Sequence, residues 1–544
     1  MFISKQTFAS NYYWVGGSGN WSDYSIHWAT ASGGSSFHLQ VPQSVDNVFF
    51  DGNSFSGTNQ TVTIDQTIVN CADLNWSGVL NSPILAGASS STLKIYGSLT
   101  FVSGMNLTFA GPVNFEAISI GKTITSAGKS FSNVVNFVGV GGGWTLQDAL
   151  TTTSDINLNN GTLTTNSQTV SASHFTSTSA TTRGLNMGAS VFNISYISFT
   201  AWDVTSPGMT LNCGTSTINL TGNNTGFSPG LGFTGSGITY FDVNFSGTGT
   251  ASGKLQGNNF YHNVSFATHG EISGNNTYNN LNFSSGYTYT ITNAKTQTIN
   301  GALIANGTCS AVIAIKTNTA GSQTTLNSVN NPIVVNYVSL KDINGTGNSF
   351  TANNSQDLGN NSGWTINTSA SQNLYWIGNA GNWSDGNHWS LTSGGAPYGC
   401  VPTTADNVFF DVNSFSVSGQ TVTIDVPTAN CHNMTWTGVA NTPTFAGPSS
   451  NTLKIYGSLT FVSGMNLTFA GPVNFEAISI GKTITSAGKS FSNVVNFVGV
   501  GGGWTLQDAL TTTSDINLNN GTLTTNSQTV SASHFTSTSA TTRD

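Results

Sequence analysis

The chain has 544 residues, of which 37% are hydrophobic, 11% aromatic and only 6% charged; that is more than one compact core holds, about 250 to 300 residues, and too aromatic for a disordered chain. The net charge of −8, with 13 Lys plus Arg against 21 Asp plus Glu and no basic cluster, argues against a nucleic-acid partner, because phosphates call for grouped cations. No apolar run approaches the ~20 residues of a membrane span, so no membrane insertion is expected.

In chain order, residues 1–11 read as an N-terminal tail without the apolar segment of an ordinary export signal. A Trp-rich β module follows over 12–90, opening with "YYWVGGSGNWSDYSIHW" from Tyr12 to Trp28. Residues 91–365 read as a first β-solenoid, 366–373 as a Ser/Asn linker, 374–450 as a second Trp-rich module and 451–544 as a second, truncated solenoid. The division rests on a duplication: Thr92 to Arg183 recurs residue for residue as Thr452 to Arg543, displaced by 360 positions. The second copy stops at Asp544 without an equivalent of Gly184 to Trp364, so either a truncated gene product or an end covered by another chain is expected.

Within each copy, short β-like runs are separated by Gly, Asn or Ser. "TLKIYGSLTF" from Thr92 alternates, placing Leu93, Ile95, Leu99 and Phe101 inward and Thr92, Lys94 and Thr100 outward, the period of a strand with one buried face. Asn or Asp before an apolar, a small polar and an aromatic residue recurs at Asp73, Asp242, Asn263, Asn280 and Asn433. The repeat predicts an all-β fold, a right-handed parallel β-helix duplicated in tandem. Coils of about 20 residues give on the order of 13 coils between Thr92 and Trp364. Asn and Asp are expected at the turns, accepting left-handed backbone and forming ladders between coils.

The strings "YWVGGSGNWSD…HW", "VP…DNVFFD", "VNFVGVGGGWTLQDAL", "KTQTINGALIANG" and "NNPIVVNYVSLKDINGTGNSF" resemble the repetitive modules of tailed-phage structural proteins and of very long secreted surface proteins of Bacteroidetes. The resemblance covers Tyr12 to Thr365 and restarts at Leu374. It implies a β-helix on a virion or cell surface with a spacing or attachment role, and carries no catalytic residues. The function expected from it is that of a non-enzymatic, tail-fibre-like virion appendage that meets a host surface glycan, as a homo-oligomer such as a trimer or with other virion proteins. The alternatives are a secreted bacterial surface adhesin and a β-helix polysaccharide depolymerase.

Two readings of the tryptophans compete. Trp21, Trp28, Trp383 and Trp389 form a platform for stacking on sugar rings, or, with Trp14 and Trp376, they seal the first coil of each solenoid against exposed strand edges. Capping is favoured because the motif opens each copy. The recurring carboxylates Asp46, Asp51, Asp65, Asp406, Asp411 and Asp425 suit turn chemistry better than a calcium site, which needs six to eight oxygens, and neither metal nor cofactor is expected. The best catalytic grouping is Glu271 with His262, His269 and Asp242, a weak basis for an enzyme. The five cysteines, Cys71, Cys213, Cys309, Cys400 and Cys431, form no zinc or disulfide pattern. Cys71 and Cys431 read as small buried hydrophobes, with a Cys400–Cys431 pair left open.

Overall fold

Most of the described strands are two to four residues long, with alternating burial. Thr92–Ile95 buries Leu93 and Ile95 and turns Lys94 outward, and Val113–Phe115 and Val135–Phe137 repeat the pattern. A run this short cannot bury its apolar face alone, so it pairs with its equivalent one coil later, and stacked coils share one core. A computed structural model describes residues 9–196, 200–205, 207–223, 231–248, 252–538 and 543–544. Residues 1–8 of the expected tail lie outside the described residues. The architecture is all-β and largely parallel, a β-solenoid. Among the described strands only two pairings are antiparallel, Asn11–Trp14 with Trp28–Ala29 and Asn373–Trp376 with Trp389–Ser390.

The chain forms two compact units, one of Met1–Gly307 with Val312–Asn367, the other of Thr308–Ala311 with Thr368–Asp544. In the first, sheets of 10, 14 and 11 strands run along the stack, with smaller sheets of four and three. The 14-stranded sheet contributes one strand per coil, Ile68–Cys71 first, then 13 strands from Thr92–Ile95 to Gln356–Asp357. The spacing in the sequence gives the same count. Register is kept for long distances: Val69, Leu93, Val113, Val135, Ile156, Phe175 and Trp202 are successive partners in one inward column. Each such side chain contributes about 1.5–3 kcal/mol on burial. The resulting core is continuous from Tyr12 to Ala352, so sheets and core cross position 90 without interruption. The second unit repeats the plan with sheets of eight, four, six and three strands around a core from Leu374 to Leu518.

Close coil-to-coil approach explains some glycines. At Gly139 a Cβ would stand 1.9 Å from the Ala117 carbonyl oxygen, and at its copy Gly499 the same distance from that of Ala477. Three of the five recurrent positions are not at turns, as the spacing suggests, but within strands: Asp242, Asn263 and Asn280 lie in Thr239–Phe245, Phe260–Phe266 and Asn276–Phe283, while Asp73 and Asn433 directly precede Leu74–Asn75 and Met434–Thr435. An outward strand position stacks amides at coil spacing, which a turn of variable length does not. Left-handed backbone falls to other residues, including Asn59, Asn81 and Asn166.

Candidate functional site: the tryptophan caps and the coil surfaces

The Trp motif ends the stack at one edge of each unit. Trp28–Ala29 is the outermost strand of the 10-stranded sheet and Trp389–Ser390 of the eight-stranded one, each reversed in direction. Trp21, Trp28, Trp383 and Trp389 are all at most 2% exposed. None of these rings presents a face to solvent, so the sugar-stacking platform is corrected to a packed cap. The physical reason is that an open coil end leaves core side chains bare, and the indoles supply the area that covers them. Trp28 meets Trp21 edge-on at 4.8 Å and Trp389 meets Trp383 so at 4.9 Å.

Hydrogen bonds fix the rings. Trp28 Nε1 donates to the Trp21 carbonyl at 2.8 Å and Trp389 Nε1 to that of Trp383 at 3.0 Å. Trp14 Nε1 donates to the Gly17 carbonyl at 2.7 Å and Trp376 Nε1 to that of Asn379 at 2.6 Å. A histidine completes each cap. His27 stacks on Trp14 at 4.5 Å with its Nδ1 2.6 Å from the Val15 carbonyl oxygen, and His388 stacks on Trp376 at 4.8 Å with its Nδ1 2.8 Å from that of Ile377. The opposite ring edge lies against Gly19 or Gly381, where a Cβ would fall 2.0 or 2.1 Å from Nε2. The motif's "GN" before tryptophan is therefore a histidine seat.

The recurring carboxylates tie segments together. Asp46 accepts from the Ser10 and Gln43 backbone N–H groups, both at 2.9 Å, and Asp406 from those of Gln372 and Thr403, both at 2.8 Å. Asp65 accepts from Ser22 and Asp425 from Ser384, each backbone N–H at 3.0 Å. Asp51 and Asp411 accept from the N–H two residues on, at 2.9 Å. Asp51 and Asp411 thus show the local turn chemistry read from the sequence, while Asp46, Asp65, Asp406 and Asp425 reach segments distant in the chain. Among the described residues no group of three or more His, Cys, Asp or Glu is placed to hold a metal ion, and no helix is long and apolar enough to cross a membrane.

The catalytic grouping does not assemble. Asp242 and His262 meet, with Nδ1 3.2 Å from Oδ1, on the 11-stranded sheet. Glu271 projects from the 14-stranded sheet and pairs with Lys254 at 3.0 Å, while His269 Nδ1 accepts from the Thr288 N–H at 3.0 Å. Outward positions instead carry amide ladders. Asn136 donates to Asn114 and Asn157 to Asn136, both at 2.8 Å, and Thr176 caps the run on Asn157 at 2.6 Å. The second unit repeats the first two bonds through Asn474, Asn496 and Asn517, also at 2.8 Å. Lys94 precedes the first ladder, its ammonium 3.0 Å from Glu116, and Lys454 and Glu476 match it at 3.1 Å. Ile118 and Ile120 stand about four-fifths exposed, as do their copies Ile478 and Ile480.

Cys309 is bonded to Cys400, within the unit that includes Thr308–Ala311, which corrects the Cys400–Cys431 option. Cys431 is a free, buried thiol like Cys71, and burial pushes both thiols well up. Residues 91 positions apart with no counterpart in the other copy give no pairing signal in sequence.

Fold and surface together define the class: a β-solenoid scaffold, apolar within and clad in hydroxyls and amides. Compared with family models, with curated proteins and with solved structures, the chain matches none.

Proposed function

We propose that the chain is a non-enzymatic fibrous protein with an adhesive role, carried as a tail-fibre-like appendage of a phage virion that spaces the particle from, or attaches it to, a host surface through glycans. The observation that supports this reading best is the unbroken parallel stack, in which one inward column of side chains passes from coil to coil without a gap. A repeat array of this kind extends by adding coils and offers long lateral faces for contact. The motif resemblance points the same way. The reading takes the winding as right-handed, the hand of almost all parallel crossovers, and the second unit as a duplicate of the first. A homo-oligomer, a trimer for instance, and other virion proteins are the partners such a role calls for.

Mass spectrometry of purified virions tests it: peptides from this chain in the particles are expected, and their confinement to a bacterial envelope fraction would replace the appendage with a secreted adhesin. The Cys309–Cys400 bond favours that second reading as much as the first, since disulfides persist in the oxidising exterior. Incubation with host capsule is expected to release neither reducing ends nor unsaturated products; their appearance would make the chain a depolymerase.

A further inference from the structure

The outward face of the 14-stranded sheet changes character past residue 250. Beside the register column that leads from the amide ladder through Asp203 and Thr234 to Gln256, it carries a second one in which Lys254 faces Glu271, Glu271 faces Thr290, Thr290 faces Lys316 and Lys316 faces Lys341. Three of the chain's 13 Lys and Arg residues thus stand in five consecutive positions. At about 4.8 Å per strand, Lys254 and Lys316 are ~14 Å apart. A cleft of about 100 Å³ opens beside the column, lined among others by Lys254, Gln256, Glu271, Ser273, Thr292 and Asn318. Every one of these six offers a hydroxyl, an amide or a charge.

The cleft is partly pre-set. Lys254 Nζ lies 3.0 Å from Glu271 Oε2, and the glutamate side chain is still 47% exposed. The Thr234 hydroxyl donates to Gln256 Oε1 at 3.1 Å, which leaves Nε2 of that amide to donate. Further along, Lys341 Nζ is steadied by the Leu358 carbonyl at 3.1 Å. Lys316 is exposed and, among the described residues, in no ion pair. With Glu271 offsetting Lys254, the column has a surplus of two cations on a chain whose net charge is −8. The corresponding six-stranded sheet of the second unit holds one lysine, Lys454, which lies in the amide-ladder column and is paired with Glu476.

Hydroxyl and amide donors in a cleft suit a sugar, and Lys316 and Lys341 on adjacent strands suit one that carries repeated negative charge. We propose that this face of the first unit binds an acidic polysaccharide of carboxylate-bearing sugars, with the Lys254–Glu271 cleft holding one sugar and Lys316 and Lys341 taking the carboxylates of those that follow. The proposal rests on the adhesive reading above and names the ligand class of that role.

Isothermal titration of the full chain with a galacturonic acid oligomer tests it. Binding is expected, weakened by added salt because Lys316 is exposed, and reduced about tenfold in Lys316→Gln. Lys489→Gln, which alters a lysine bonded elsewhere, to the Ser463 carbonyl, leaves it unchanged. The proposal is overturned by an absence of binding, by equal binding in Lys316→Gln, or by equal affinity for the fully methyl-esterified oligomer or for single-stranded DNA. Oligomer binding by a chain missing from virions would sink the appendage and keep the site; a virion-borne chain that ignores the oligomer would do the reverse.

Discussion

Phe175 and Phe535 occupy the same place in two identical stretches of sequence, yet Phe175 is wholly buried and Phe535 is 53% exposed. The difference lies one coil further on. Phe175–Ser177 pairs with Trp202–Val204, and the Phe175 ring stacks on Trp202 at 4.6 Å. Phe535–Thr536 is the outermost strand of its six-stranded sheet. Leu163 and Val170 are buried where Leu523 and Val530 are half-buried, a weaker form of the same contrast. Local sequence therefore sets the strand and its inward face, while burial is supplied by the neighbour. Phe175→Ala is expected to cost about 3–5 kcal/mol, and Phe535→Ala to stay near the ~0.5 kcal/mol of surface changes, both read by equilibrium denaturation; equal costs would break the comparison.

The caps offer the opposite case, in which sequences differ and geometry agrees. The second copy is one residue shorter between its last two tryptophans, and the α-helical turn Tyr24–His27 becomes the 3-10 turn Gly386–His388. The histidine nevertheless reaches the same seat. Gly19→Ala and Gly381→Ala should each lower stability by about 1–3 kcal/mol through overpacking against the imidazole. Unequal effects in thermal melts would show that the two caps are not equivalent.

Alkaline pH separates the units. Burial raises the phenols of Tyr240, Tyr261, Tyr278 and Tyr289, all in the first unit, and the thiols of Cys71 and Cys431, one in each. A group raised in the folded state stabilises fully below its unfolded pKa, about 8.5 for Cys and 10 for Tyr, and loses that contribution as pH climbs toward the folded value. Both units should weaken above pH ~8.5 and the first more steeply above ~10, as hydrogen exchange of peptides unique to each unit can follow; a steeper loss in the second would contradict the assignment. The smallest effect is expected at the exposed isoleucines, where Ile120→Ser and Ile480→Ser should each shift stability by no more than ~0.5 kcal/mol.

Much of the fold was legible because a strand's period of two and the repeat of whole coils are both written in residue order. The Asn ladders were half legible. Their recurrence shows in sequence, but Asn suits a turn and an outward strand position alike, and only register separates the two. The histidine seat was missed because a lone His near tryptophans has no distinctive spacing, although the Gly-Asn before Trp21 and Trp383 marked the close approach. The lysine column was illegible for a geometric reason. Its successive members are 17, 19, 26 and 25 residues apart, since coil corners vary in length while strands stay in register.

In-register stacking of adjacent coils underlies all of this, and paired cysteines measure it directly. Asn114 and Asn136 are in-register partners, and Asn157 lies one strand beyond. Strand spacing of ~4.8 Å puts the first two within disulfide reach and places Asn114 and Asn157 about 9.6 Å apart, outside it. Oxidation of Asn114→Cys/Asn136→Cys should give the linked peptide by mass spectrometry, and Asn114→Cys/Asn157→Cys should not. The reverse outcome, or equal linking of both pairs, would contradict the solenoid.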